Sequence, residues 1–132
     1  MIALALAAAA AVPAGVAFAC TPIRVWDGDG PIWCAEGPRV RLAGIYAREL
    51  DGTCRRGHPC PAASGINARD KLVELLGGSR GRAKAGHVLV AGLSLCCRSQ
   101  GLDRYGRTLA ACADPNGDVG EALVRAGVAA GW

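Results

Sequence analysis

Three short stretches carry residue types that could act on a phosphate. Asp27-Gly28-Asp29-Gly30 puts two carboxylates into a glycine-rich turn. Arg41 to Leu50 (RLAGIYAREL) has Arg41 at one end, Arg48 and Glu49 near the other, and Tyr46 between them. Asp103-Arg104-Tyr105-Gly106-Arg107 joins two arginines to a carboxylate and a phenol. A phosphodiester under attack gathers negative charge on its equatorial oxygens, and guanidinium forks hold such oxygens bidentately. A carboxylate within hydrogen-bond reach orients or deprotonates the attacking water. A hard cation held by carboxylates neutralises phosphate charge. Singly, each stretch has a plainer meaning. Asp and Gly are ordinary turn residues, and Glu49 could pair with Arg48 or Arg55 on the surface for little gain. Only joint placement would make a site.

The elements that must bring these stretches together follow from local patterning. Ile23 to Trp26 is strand-like, Ile32 to Ala35 is a second short strand, and Val40 to Ile45 is a third, with turn residues between them. Arg48 to Pro61 is a polar loop. Ile66, Leu72, Val73, Leu75 and Leu76 predict an amphipathic helix that ends at Gly77-Gly78. HVLVAGLSL (87–95) reads as a fourth strand, CCRSQGLDRYG (96–106) as a connecting loop and RTLAACA (107–113) as a fifth strand. Val119, Leu123 and Val124 share a face of a last helix, with Asp118 as its N-cap and Gly127 past its end. The order β-β-β-α-β-β-α, α+β but mainly strand, is that of a five-stranded OB-fold barrel. Trp26, Trp33 and Trp132 read as core or rim packing, Tyr105 as the better stacking candidate, and His58 and His87 as structural or exposed.

The first 19 residues carry no charge and end in Ala17-Phe18-Ala19, the small-x-small pattern of signal cleavage before Cys20. Pro13 and Gly15 interrupt a run already short for a membrane span. The expectation is a signal peptide over 1–19 and one domain over 20–132, secreted or periplasmic, monomeric and without a stable membrane span. Lipidation at Cys20 ranks below plain export, because Ala17 and Phe18 make a poor lipidation box. The 15 Lys+Arg and 11 Asp+Glu all lie after the leader, and 13 of the cations are Arg. That excess permits an anionic partner without requiring one. Seven cysteines behind such a leader point to disulfides in an oxidising compartment. Cys54 with Cys60 would close CRRGHPC, Cys20 with Cys34 would tie the N-terminus to a hairpin, and Cys96 or Cys97 with Cys112 would join neighbouring strands. One thiol is left over. Zinc at Cys54, His58 and Cys60 is the weaker alternative, since no CxxC pair exists.

Three segments in order, DGDG…VRLAGIYARE, DRYGRTLA and GDVGEALVRAGVA, resemble the staphylococcal nuclease-like (thermonuclease) family from about Arg24 to Ala129. The resemblance implies an OB barrel that cleaves DNA and RNA phosphodiester bonds with calcium. It implies that Asp29 is a calcium ligand, that Arg41 and Arg107 bind phosphate, and that Glu49 activates water. It places Asp103 and Tyr105 beside bound nucleotide. The chain departs from the family at Gly30 (Thr in the family), at Tyr46 (the second calcium Asp) and at Arg48 (Pro). A phenol is neutral near pH 7 and a poor ligand, and Arg48 adds a cation nearby. The carbonyl of Ala47 and the carboxyl of Asp27 are candidate substitutes. Weaker calcium binding, a different metal or none is therefore expected. The family also continues past LVRAGVA where this chain stops at Trp132, so the domain reads as minimal or C-terminally truncated. Two functions are expected in order: phosphodiester hydrolysis by Arg41, Glu49 and Arg107, then a catalytically inactive OB module that binds nucleic acid or another anionic partner. A structural, disulfide-stapled envelope protein comes third.

Overall fold

The computed structural model describes residues 10–132, so residues 1–9 of the expected leader lie outside the described residues. The chain forms β1 (Ala17–Cys20), β2 (Pro22–Asp27), β3 (Gly30–Cys34), β4 (Arg39–Leu42), β5 (Ile45–Tyr46), α1 (Gly65–Leu75), β6 (Val88–Leu89), β7 (Leu95–Leu102), β8 (Thr108–Asp114), β9 (Gly117–Asp118), α2 (Val119–Arg125) and β10 (Ala130–Gly131). This is a mixed α+β fold made mostly of strands. One open sheet runs β1-β7-β8-β4-β3-β2-β6 with β9 on β8, and β5 pairs separately with β10. The β4–β8 pair is parallel, with Val40, Arg41 and Leu42 opposite Thr108, Leu109 and Ala110.

Alternation explains the meander. Along β2, Val25 and Asp27 are buried while Arg24 and Trp26 face outward. Val25, Ile32, Val40, Leu42, Leu95 and Leu123 are fully or almost fully buried and form the centre of one core. Each such side chain contributes about 1.5–3 kcal/mol on burial. Helix α1 adds Ala68, Leu72 and Val73, followed by the capping residue Leu76. Ile66 is about half exposed (49%), so the apolar face begins later than expected. The Ser64 side chain caps α1 by accepting from the Asn67 N–H, and Asp118 caps α2 by accepting from Glu121.

Two strand expectations need correction. The third strand stops at Leu42. The chain turns at Ala43-Gly44, and Ile45 and Tyr46 pair instead with β10, which folds the C-terminus over this corner. The expected fourth strand shrinks to Val88–Leu89, and most of the expected loop 96–106 is β7. Its pattern is hidden by polar residues: Leu95, Cys97 and Ser99 point inward, while Cys96, Arg98 and Gln100 are exposed. Part of the expected leader lies within the described residues. Ala17, Phe18 and Ala19 pair with Arg98, Cys97 and Cys96 of β7. Buried Ser99 holds this segment: its N–H donates to the Val16 carbonyl at 3.0 Å and its hydroxyl to that of Val12 at 2.8 Å.

Disulfides join Cys20 to Cys34, Cys54 to Cys60 and Cys97 to Cys112, and Cys96 is an exposed free thiol. Register chooses Cys97 over Cys96, because Cys97 stands directly opposite Cys112 and faces inward. The Cys54–Cys60 bond also removes the zinc alternative. Among the described residues, no helix is long and apolar enough to cross a membrane.

Candidate active site

Two glycines let the site assemble. Gly30 follows Asp29 with φ of +113°, and a Cβ there would meet the Val40 carbonyl oxygen at 2.6 Å. A threonine could not take this backbone, which accounts for glycine at that position. The close approach sets Asp29 beside β4, where the Leu42 N–H donates to the Asp29 carbonyl at 2.9 Å. Gly65 opens α1, and a Cβ there would collide with the Glu49 carbonyl. The start of α1 therefore lies directly on the backbone that presents Glu49.

Asp27, Asp29, Arg41, Tyr46, Glu49, Arg55 and Arg107 line one cavity of about 40 Å³. The four sequence candidates Asp29, Arg41, Glu49 and Arg107 thus converge. Arg41 Nη2 donates to Asp29 Oδ2 at 3.2 Å, and Nη1 donates to the carbonyls of Leu42 and Ile45. The Ala47 N–H donates to the same Asp29 oxygen at 3.1 Å. Tyr46 is 2% exposed. Its hydroxyl donates to Glu49 Oε1 at 3.1 Å and accepts from the Arg55 N–H at 2.7 Å. Burial, opposed by the Arg55 N–H and reinforced by Glu49 and Asp29, raises the Tyr46 pKa, so the phenol is neutral near pH 7. Asp27 is buried, and its Oδ1 has no hydrogen-bond partner. Burial first, then the Asp29 and Glu49 carboxylates, push its carboxyl up to about 9. Asp27 is therefore a neutral acid at pH 7.

One residue departs from its expected place. Arg48 turns away from the cavity, with Nε donating to the Pro61 carbonyl at 2.6 Å and Nη1 to that of Gly52 at 2.8 Å. It braces the loop rather than adding charge to the site. Asp103 stands at the wall of the neighbouring cleft beside Tyr105 and Arg107 and also braces its own turn: Oδ1 accepts from the N–H groups of Tyr105 and Arg107, and Oδ2 accepts from Arg107 Nε at 2.6 Å. It aims Arg107 into the cavity. The Ala47 N–H, by its bond to Asp29, ties this residue to the site.

Arg55 and His58 are the residues the sequence did not reveal. A cleft of about 210 Å³ adjoins the small cavity and shares Arg41, Arg55 and Arg107 with it. His58, Tyr105 and Trp132 complete its wall. The His58 ring lies 4.8 Å from that of Tyr46 and 4.2 Å from that of Trp132. The guanidiniums of Arg55 and Arg107 lie 5.4 and 5.1 Å from the Tyr105 ring centre, within cation–π range. Tyr105 stays half exposed, as a stacking residue would. The only available signal for Arg55 and His58 was their place inside CRRGHPC, which the Cys54–Cys60 bond closes against the site.

In their present hydrogen bonds these residues leave few free oxygens for calcium. That ion takes 6–8 oxygens. Here one Asp29 oxygen already accepts from Arg41 and Ala47, and one Glu49 oxygen accepts from a phenol. Among the described residues, no group of three or more His, Cys, Asp or Glu side chains converges as a metal site. What the arrangement offers is an arginine-bearing pocket: Arg41, Arg55 and Arg107 share one cavity with the acidic side chains of Asp27, Asp29 and Glu49, and Asp29 is ion-paired with Arg41. No family model and no curated protein sequence matches the chain.

Proposed function

We propose that this chain hydrolyses phosphodiester bonds of nucleic acid, as an exported, staphylococcal nuclease-like domain on an OB-fold framework. The observation that carries the reading is the convergence of Arg41, Arg55 and Arg107 with Glu49 in one cavity. From β2 onward, the order of the elements of four residues or more, β2-β3-β4-α1-β7-β8-α2, supports the OB framework. Three disulfides support an oxidising compartment.

Guanidinium forks would hold the two non-bridging oxygens, and their charge would offset the negative charge that builds during attack. Glu49 would orient a water and accept its proton as the water oxygen bonds to phosphorus. The bond to the leaving oxygen breaks, and that oxygen takes a proton from solvent. Arg41 would exchange part of its hold on Asp29 for the phosphate. The arginines do here what a divalent cation does elsewhere, so metal dependence is weak.

The test is to incubate the oxidised protein with single-stranded DNA and RNA, in calcium and in chelator. Cleavage in both conditions, lost in Arg107→Ala, is expected. Cleavage no higher than that of Arg107→Ala sinks the proposal. The Tyr46–Glu49 hydrogen bond favours a second reading, in which Glu49 is kept from water and the module binds nucleic acid or another polyanion without turnover. Salt-sensitive binding without cleavage would select it.

A further inference from the structure

Away from the cavity, the outer face of β4, β3, β2 and β6 carries an organised row. Register places Arg39 opposite Trp33, Trp33 opposite Arg24, and Arg24 opposite Leu89. The Arg24 guanidinium lies 5.0 Å from the Trp33 ring centre. His87 sits between two indoles, 4.6 Å from Trp33 and 4.9 Å from Trp26. Gly86 lies against Trp26, and its carbonyl accepts from Arg82. Trp26, at the edge of this stack, is 38% exposed. The core does not require these rings, since the inward positions of the same strands are filled by Val25, Ile32 and Val40.

Charge identifies the occupant. Between Glu74 and Asp103 the chain has Arg80, Arg82, Lys84 and Arg98 and no carboxylate. Arg39 is exposed and makes no ion pair among the described residues, and Glu36, at the β3–β4 turn, is engaged by Thr21. Aromatic rings interleaved with arginines suit a chain of bases and phosphates: bases stack on rings regardless of sequence, and cations track the backbone. The row and the cavity also share one side of β4, to which both Arg39 and Arg41 project.

We infer that the Trp26–His87–Trp33 face, with Arg24, Arg39 and Arg82, is a second binding surface for single-stranded nucleic acid, which stacks a base on Trp26 several nucleotides from the phosphate held in the cavity. The inference rests on the nucleic-acid reading of the cavity for the occupant's identity, but not on hydrolysis. It turns Trp26 from rim packing into a platform.

The experiment uses the oxidised full chain carrying Arg107→Ala, in chelator, with a fluorescein-labelled oligothymidylate of about twelve nucleotides read by anisotropy. Adding Trp26→Ala should weaken binding about tenfold, and Trp26→Phe should restore most of it. Arg39→Ala should lower the slope of log affinity against log salt by about 0.7. A thymidine dinucleotide, too short to reach from cavity to platform, should lose no affinity in either variant. Unchanged oligomer affinity in Trp26→Ala together with an unchanged salt slope in Arg39→Ala overturns the inference. So does tighter binding to phosphatidylglycerol vesicles that displace the oligomer, which would make this a membrane-facing surface. If Trp26→Ala fails to fold, exposed Arg39 and Arg82 carry the test through their alanine variants. A wild-type chain that binds through Trp26 but cleaves nothing would refute hydrolysis and leave this surface standing.

Discussion

Replacing Tyr46 with phenylalanine removes one oxygen from the centre of the site and nothing else. That hydroxyl makes two hydrogen bonds, at 3.1 Å to Glu49 Oε1 and at 2.7 Å from the Arg55 N–H, in a residue only 2% exposed. A neutral hydrogen bond contributes about 1 kcal/mol net, and one to a carboxylate about 1.5–3 kcal/mol. Phenylalanine keeps the ring contact with His58 at 4.8 Å, so packing is largely preserved. The variant should therefore lose about 2–3 kcal/mol of stability. In urea denaturation this appears as a lower midpoint at unchanged slope, and in thermal melts as a fall of roughly 10 °C. The change also frees Glu49 Oε1 to accept from water, so cleavage per folded molecule should hold or rise. A stability loss below about 0.5 kcal/mol, the level of an ordinary surface change, would mean that the phenol does not bridge Glu49 to the Cys54–Cys60 loop. A fall of tenfold or more in cleavage would mean that the phenol itself serves the reaction.

Tyr46→Asp should create calcium affinity visible by calorimetry, because it adds a carboxylate and frees Glu49. No heat of binding would show that the loop has been rebuilt around the phenol. Arg107→Ala should reduce cleavage about a hundredfold, the scale of one lost transition-state donor. Burial works to raise the Asp103 pKa, but the N–H groups and guanidinium of Arg107 and the N–H of Tyr105 outweigh it and hold the carboxyl below 3.8. Its stabilisation is thus fully present above that pH and lost as pH falls through the lower folded value. Asp103→Asn should show a shallower acid-side loss in urea melts, and an acid limb as steep as wild type would refute the linkage. Opening the short loop with Cys54→Ser and Cys60→Ser should cost about 2 kcal/mol and lower oligonucleotide affinity, as Arg55 and His58 leave the cleft wall.

Local grammar made the meander and both helices legible: Ser64 and Asp118 cap their helices with side-chain oxygens, and strand residues alternate. It failed at β7 because CCRSQG reads as a polar loop until Cys97 and Ser99 are seen to face inward against β8 and the N-terminal segment. The candidate site was half legible. Asp29, Arg41, Glu49 and Arg107 sit in short stretches whose spacing a strand or turn preserves, so they converge once the sheet forms. Arg55 and His58 reach the site through a disulfide loop, and nothing within CRRGHPC says which way it folds. Asp103 has the residue type of a ligand-binding group but the hydrogen bonds of a turn. The tryptophan row depends on strand register, which is a property of pairs of strands and not of any one.

The parallel pairing of β4 with β8 has a consequence in time. Arg41 and Arg107 lie far apart in the chain and become neighbours only through this non-local contact. Such pairings carry a loop-closure cost that must be met before the contact stabilises anything, so they form late in folding. An emerging or unfolded chain would present Arg41 and Glu49 on one segment and Arg107 on another, with no cavity between them. If the proposed hydrolysis holds, a cell making this protein would be shielded from it until β8 is complete, with the Cys97–Cys112 bond left to form under oxidising conditions. Assembly order would itself serve as the safeguard that a separate inhibitor otherwise supplies.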